Sequence, residues 1–80
     1  MREDVVLITG ANGEIGHGLI NHLFSEDKKI VALDVAPLDK CLRPKVATYI
    51  VGDILDQMLL GRLVVEHQIC TIYHLASILS

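Results

Sequence analysis

Val5-Val6-Leu7-Ile8-Thr9, running into Gly10-Ala11-Asn12-Gly13-Glu14-Ile15-Gly16, decides the fold of this chain. The first five residues are β-branched and aliphatic with no polar alternation, the pattern of a strand covered on both faces in a parallel sheet. The run stops at Gly10 and gives way to a glycine-rich turn. Beyond it Ile15, Leu19 and Leu23, flanked by Ile20 and Phe24, recur at helical spacing and predict a helix ending near Ser25.

The same alternation continues outward. Glu26-Asp27-Lys28 reads as a charged turn, and Lys29-Ile30-Val31-Ala32-Leu33-Asp34 as a second strand closed by an acid. Val35 to Lys45 shows no periodicity and is bracketed by Pro37 and Pro44, so it reads as a connection. A third strand is expected over Val46 to Val51, before Gly52-Asp53. Asp56 is a candidate N-cap for a second helix, in which Met58, Leu59, Leu60, Leu63 and Val64 repeat with helical period to about His67 and Gly61 is a weak point. Ile69 to Leu75 is expected as a fourth strand, followed by the start of a loop. The order β-α-β-β-α-β with parallel connections predicts an α/β fold, the N-terminal half of an open, doubly wound parallel sheet. Because no helix follows the fourth strand to cover it, residues 1–80 read as a fragment of such a domain.

Composition narrows the function. The chain has 80 residues, of which 51% are hydrophobic and 21% charged, so at most one globular domain is expected. At this size folding buries only about 60% of the unfolded surface, which makes a lone core marginal. Seven Lys and Arg against ten Asp and Glu leave a net charge of −3 and no basic stripe, so nucleic acid is not an expected partner. Met1-Arg2-Glu3-Asp4 leads into an apolar run too short for a signal-peptide core or a membrane span, so no membrane partner is expected. Cys41 and Cys70 stand far apart with no C-x-x-C pattern, which argues against a disulfide framework or a zinc site and for a reducing, cytoplasmic setting.

The glycine turn carries the chemistry. Its spacing is G-x-x-G-x-x-G, and it follows a buried strand, opens a helix and precedes a strand that ends in an acid. Gly10 permits a sharp turn, Gly13 leaves room for backbone to approach a pyrophosphate, and Gly16 lets the helix pack close to the sheet. The amides at the start of the helix then face an anion at the positive end of its dipole. A turn that uses glycine for tight packing alone is the competing reading. Asp34 follows Gly16 at nearly the ~20-residue offset of an acid that accepts from both ribose hydroxyls of a dinucleotide. A carboxylate there repels a 2′-phosphate, and Val35 and Ala36 supply no arginine to bind one, so NAD is the expected cofactor rather than NADP. A solvated acid at a strand end is the plainer alternative. Asp53 sits at the same edge of the sheet, where it would accept from the adenine amino group or simply cap a turn.

At these residues the sequence resembles the extended short-chain dehydrogenase/reductases, the NAD-dependent epimerase/dehydratase family with its Rossmann-type domain. Four pieces carry the resemblance: Thr9 to Gly16, Asp34, Gly52-Asp53, and Tyr73-His74-Leu75-Ala76-Ser77. It implies that Gly10, Gly13 and Gly16 line the pyrophosphate with the backbone of Glu14 and Ile15 near it, that Asn12 is a further cofactor-binding residue, and that Asp34 holds the ribose. It further implies that Asp53 and Ile54 border the adenine and that Leu75, Ala76 and Ser77 line the cofactor toward the nicotinamide. Ala76-Ser77 stands where many relatives carry Ala-Ala. The tail from His74 to Ser80 is similar to the threonine-dehydrogenase-like and sugar-acid-dehydrogenase-like branches. The intact enzyme is expected to transfer hydride between nicotinamide and a hydroxyl-bearing sugar-nucleotide, sugar-acid or hydroxy-amino-acid substrate, and to be a homo-oligomer.

The family's Tyr-x-x-x-Lys pair is absent here. Tyr49 and Tyr73 are followed four residues on by Asp53 and Ser77, so the 80 residues are expected to hold part of a cofactor site, no catalytic residue and no substrate site. A non-catalytic dinucleotide-binding or interaction module of the same fold is the alternative. The histidines offer little: His17 and His22 are five apart, off the helical spacing of a ligand pair, and no metal site is expected from them. His67 suits the negative end of the second helix, and His74 is expected to pack and hydrogen-bond.

Overall fold

The computed structural model describes residues 4–75. Its elements are β1 (Val5–Thr9), α1 (Glu14–Ser25), β2 (Lys29–Asp34), a 3-10 turn at Arg43–Lys45, β3 (Thr48–Val51), α2 (Gln57–His67) and β4 (Thr71–His74). The strands form one sheet in the order β3-β2-β1-β4, and every neighbouring pair is parallel. This is the α/β, Rossmann-type order expected from the sequence. Chain order reverses direction between β1 and β4, which places the fold's switch point beside the carboxyl end of β1.

Alternation along β1 and β2 assigns the two faces. Val6, Ile8, Ile30 and Ala32 pack with Ile20 and Leu23 of α1 and with Ala11, Leu38 and Leu42. Val5, Leu7, Val31 and Leu33 point the other way and pack with Leu63 of α2, joined by half-buried Leu59, Leu60, Ile50, Ile54 and Ile69. The period-two geometry of a strand thus feeds one helix from each half of the same apolar run. Leu7, Ile8, Ile30 and Leu33 are wholly buried, each contributing about 1.5–3 kcal/mol by leaving water.

Several expectations shift at the edges. On α1 the buried stripe is Gly16, Ile20 and Leu23, while Ile15 and Phe24 are about half exposed at 57% and 48%. The ~100° turn per residue rotates those two off the stripe. Met58 and Val65 are still more exposed on α2, where Leu63 is the buried residue. β3 begins at Thr48 rather than Val46, because Arg43-Pro44-Lys45 winds a 3-10 turn that closes with the Val46 amide donating to the Arg43 carbonyl. β4 is confined to Thr71–His74 because the chain of β1, turning away at Gly10, pairs with it only from Val6 to Thr9. The Val35 to Lys45 connection, aperiodic in sequence, is anchored by the buried side chains of Leu38 and Leu42. Arg43 fastens it further, donating to the Leu38 carbonyl at 2.8 Å and lying over the Tyr49 ring at 5.1 Å.

Candidate functional site: the glycine turn and the acid of β2

The turn opens at the switch point. Gly10 has φ 73°, a left-handed conformation that a side chain would strain, and its amide donates to the Leu33 carbonyl of the neighbouring strand at 2.8 Å. Gly16 is the packing glycine: a Cβ there would lie 2.1 Å from the Ala11 carbonyl oxygen and 2.5 Å from its carbon. Its missing side chain therefore brings α1 against the turn itself, a closer neighbour than the strands that were expected to need the space. Gly13 differs from both. Its backbone is extended at φ −83° and ψ 176°, and among the described residues a Cβ would meet nothing nearer than the Gly10 carbonyl oxygen at 3.9 Å. Neither its conformation nor packing among the described residues demands glycine there.

Gly13 is also the N-cap of α1, and among the described residues no side chain caps that helix. The contrast with α2 is direct. There the Asp56 carboxylate accepts from the Met58 and Leu59 amides at 3.0 and 3.2 Å, which satisfies the first amides of α2 from within the chain. At α1 the corresponding position is a bare, exposed glycine, and the positive end of the helix dipole faces outward. Glu14 in the first turn is exposed and complements the dipole from the side.

Asp34 is drawn to the same place. Its Oδ2 accepts from the Asn12 amide at 3.0 Å and its Oδ1 from the Ala36 amide at 3.3 Å, so the acid at the end of β2 is tied to the middle of the glycine turn. A carboxylate offers about four acceptor positions, and two amides leave capacity for two hydroxyl donors. The Asn12 side chain is bonded within the chain: its amide donates to the Pro37 carbonyl at 3.2 Å and its oxygen accepts from the Asp39 amide at 3.0 Å. Asn12 thereby braces the turn against the connection after β2, a role its sequence position did not disclose.

The remaining expected residues lie around this centre. Asp53 is exposed and accepts from the Leu55 amide at 2.8 Å through Oδ1, the turn-capping role weighed for it. Gly52, Asp53, Asp56, Met58, Leu59 and Arg62 line a shallow depression of about 580 Å³. Ile54 is half-buried against the core on the α2 side, and Leu75 packs at the edge of the α1-side core. The Thr9 hydroxyl, buried at the end of β1, meets His74 Nδ1 at 2.6 Å and ties the carboxyl ends of β1 and β4 together. Ala76 and Ser77 lie outside the described residues. Among the described residues no helix is long and apolar enough to cross a membrane.

Residues 6–80 match the model of the NAD dependent epimerase/dehydratase family. The chain belongs to that family. Solved structures share its fold: the GalE-like L-threonine dehydrogenase of Cupriavidus necator, in its holo form, superposes with a TM-score of 0.74 at 29% identity over 88% of this chain and 23% of its own. The enzyme WbmG of Bordetella bronchiseptica, in complex with NAD and UDP, gives 0.72 at 30% identity over 86% of this chain and 23% of its own. MoeE5 in complex with UDP-glucuronic acid and NAD gives 0.66 at 33% identity over 86% of this chain and 21% of its own. The chain thus spans about a fifth of the length of these family structures. No curated protein matches it.

Proposed function

We propose that this chain is the cofactor-binding portion of an NAD-dependent epimerase, dehydratase or dehydrogenase. The observation that carries the reading is the pairing of an α1 that no described side chain caps, opened by a glycine that packing among the described residues does not require, with an acid bonded to the adjoining turn. The pyrophosphate is assigned to the exposed start of α1, with Gly10, Gly13, Glu14, Ile15 and Gly16 around it, and the ribose hydroxyls to Asp34. Asp53 and Ile54 are assigned to the adenine side, and Leu75, Ala76 and Ser77 to the side of the nicotinamide. NAD, when bound, supplies hydride transfer. The chain's own residues bind and orient it.

The wider enzyme is proposed to act on a hydroxyl-bearing substrate of the sugar-nucleotide, sugar-acid or hydroxy-amino-acid class. Neither Tyr49 nor Tyr73 is followed by lysine four positions on, so these 80 residues alone are expected to hold cofactor without turnover. Calorimetry with NAD and NADP tests the assignment. NAD should bind in preference, and Asp34→Ala should weaken it by roughly 10- to 100-fold, the equivalent of a charge-assisted hydrogen bond worth about 1.5–3 kcal/mol. Asp34→Asn keeps an acceptor for the Asn12 amide, gives up the one for the Ala36 amide and removes the charge, so it should narrow the NAD-to-NADP preference while the bond to the glycine turn remains. Equal binding of the two cofactors by the unmutated chain removes Asp34 from the ribose.

A further inference from the structure

His17, Asp39 and Cys41 meet beside the glycine turn, although the sequence separates the first from the other two by a helix and a strand. One ligand atom from each, an imidazole nitrogen, a carboxylate oxygen and a thiol sulfur, lies within 4.8 Å of the others. We propose that these three side chains form a binding site for a divalent transition ion of the Zn2+ class, which staples the first turn of α1 to the connection after β2.

The donor set argues for that class of ion. Imidazole, carboxylate and thiolate are the three ligand types that Zn2+ takes in protein sites, and the thiolate discriminates against Mg2+ and Ca2+. Spacing agrees. With bonds of about 2.0–2.3 Å in tetrahedral array, ligand atoms around one Zn2+ stand roughly 3.3–3.8 Å apart. His17 Nε2 and Asp39 Oδ2 are already 3.7 Å apart, too far for a hydrogen bond and close to the separation of two ligands on one metal. Cys41 is exposed, and its sulfur already stands within 4.8 Å of both other ligand atoms, no more than about 1 Å beyond the ligand spacing of a tetrahedral site.

The backbone beneath the site is held in place. The Asp39 amide donates to Asn12 Oδ1, the Leu42 amide to the Asp39 carbonyl at 2.9 Å, and the buried side chains of Leu38 and Leu42 pin both flanks. The Cys41 amide donates to Asp39 Oδ1 at 3.4 Å, which orients that carboxylate and leaves Oδ2 toward His17. Three protein ligands leave a fourth position for water. A chain of this size gains from such a staple, since metal held by the folded state alone adds directly to its stability. On binding, the Cys41 thiol gives its proton to solvent as the sulfur–metal bond forms.

The test uses the purified chain without a histidine tag, stripped of metal by chelator and titrated with Co2+, then Zn2+. A single Co2+ should bind with a thiolate-to-cobalt charge-transfer absorption, Zn2+ should displace it, and the thermal midpoint should rise with Zn2+. Cys41→Ser should abolish the charge-transfer band and the thermal shift, and His17→Gln should weaken Zn2+ binding by about tenfold or more. Cys70→Ser should change none of these. All three positions are exposed or half-exposed, and circular dichroism confirms that each variant keeps its helix content. Absence of the band, its survival in Cys41→Ser, its loss in Cys70→Ser, or an unchanged Zn2+ affinity in His17→Gln would each overturn the proposal.

Discussion

Replacing Gly13 by valine separates binding from folding. At φ −83° and ψ 176° the backbone already lies where a β-branched residue is comfortable, and the new Cβ would stand 3.9 Å from the Gly10 carbonyl oxygen, an ordinary contact. The variant loses the modest N-cap preference of glycine and restricts the unfolded chain, two opposing effects that leave stability within about 1 kcal/mol of the parent. The branches, however, would occupy the space through which the proposed pyrophosphate reaches the first amides of α1. Losing two charge-assisted hydrogen bonds at about 1.5–3 kcal/mol each weakens NAD by roughly 100-fold or more. Gly16→Ala is the matched control. Its methyl would sit 2.1, 2.5 and 2.8 Å from backbone atoms of Ala11, which cannot swing aside as a side-chain tip would. The helix must move by more than about 1 Å to restore normal contact, at a cost of about 1–3 kcal/mol. Urea unfolding followed by circular dichroism, run beside calorimetry with NAD, should show Gly13→Val folded but blind to cofactor and Gly16→Ala destabilised. If Gly13→Val keeps both its stability and its NAD affinity, the glycine turn serves packing alone and the cofactor assignment fails.

Two further outcomes follow from polar contacts away from the cofactor. Asp56→Ala removes the carboxylate that holds the Met58 and Leu59 amides and should cost about 1 kcal/mol in urea unfolding; an unchanged midpoint would show that water replaces this cap without penalty. Lys28 and Asp4 pair at 2.8 Å across the surface, and hydrogen bonding with charge attraction holds the Asp4 carboxyl below its ordinary range and raises Lys28. The stabilisation is therefore present above the ordinary carboxylate range, disappears as acid protonates Asp4, and disappears again as base neutralises Lys28. Asp4→Asn should lower the thermal midpoint slightly at neutral pH and low salt, with no difference in acid or at high salt. A difference that persists in acid would assign the effect to something other than the pair.

Local pattern carried much of the fold. The apolar run from Val5 to Thr9, the periodic residues after Gly13, and the acid at Asp56 each announce an element through neighbours a few positions away, and β1, α1, β2 and α2 stand within a residue or two of their expected bounds. The glycine spacing and the offset to Asp34 likewise identify the turn and its acid, because both are set by the geometry of one strand, one helix and the next strand. What sequence could not supply is every contact made across the chain. The roles of the three glycines look alike in the string, and only the path of Ala11 beneath α1 makes Gly16 indispensable to packing while leaving Gly13 open. Leu38 and Leu42 carry no periodicity, yet the connection after β2 folds over the α1 face and buries them. Asn12 reaches Pro37 and Asp39, and His17 meets Asp39 and Cys41, for the same reason. Parallel strands force the chain to cross the sheet and return beside its own start. Sequence alone determined the elements and the turn; tertiary structure decided which residues that return brings together, because such contacts depend on where two distant segments pass and not on the spacing within either.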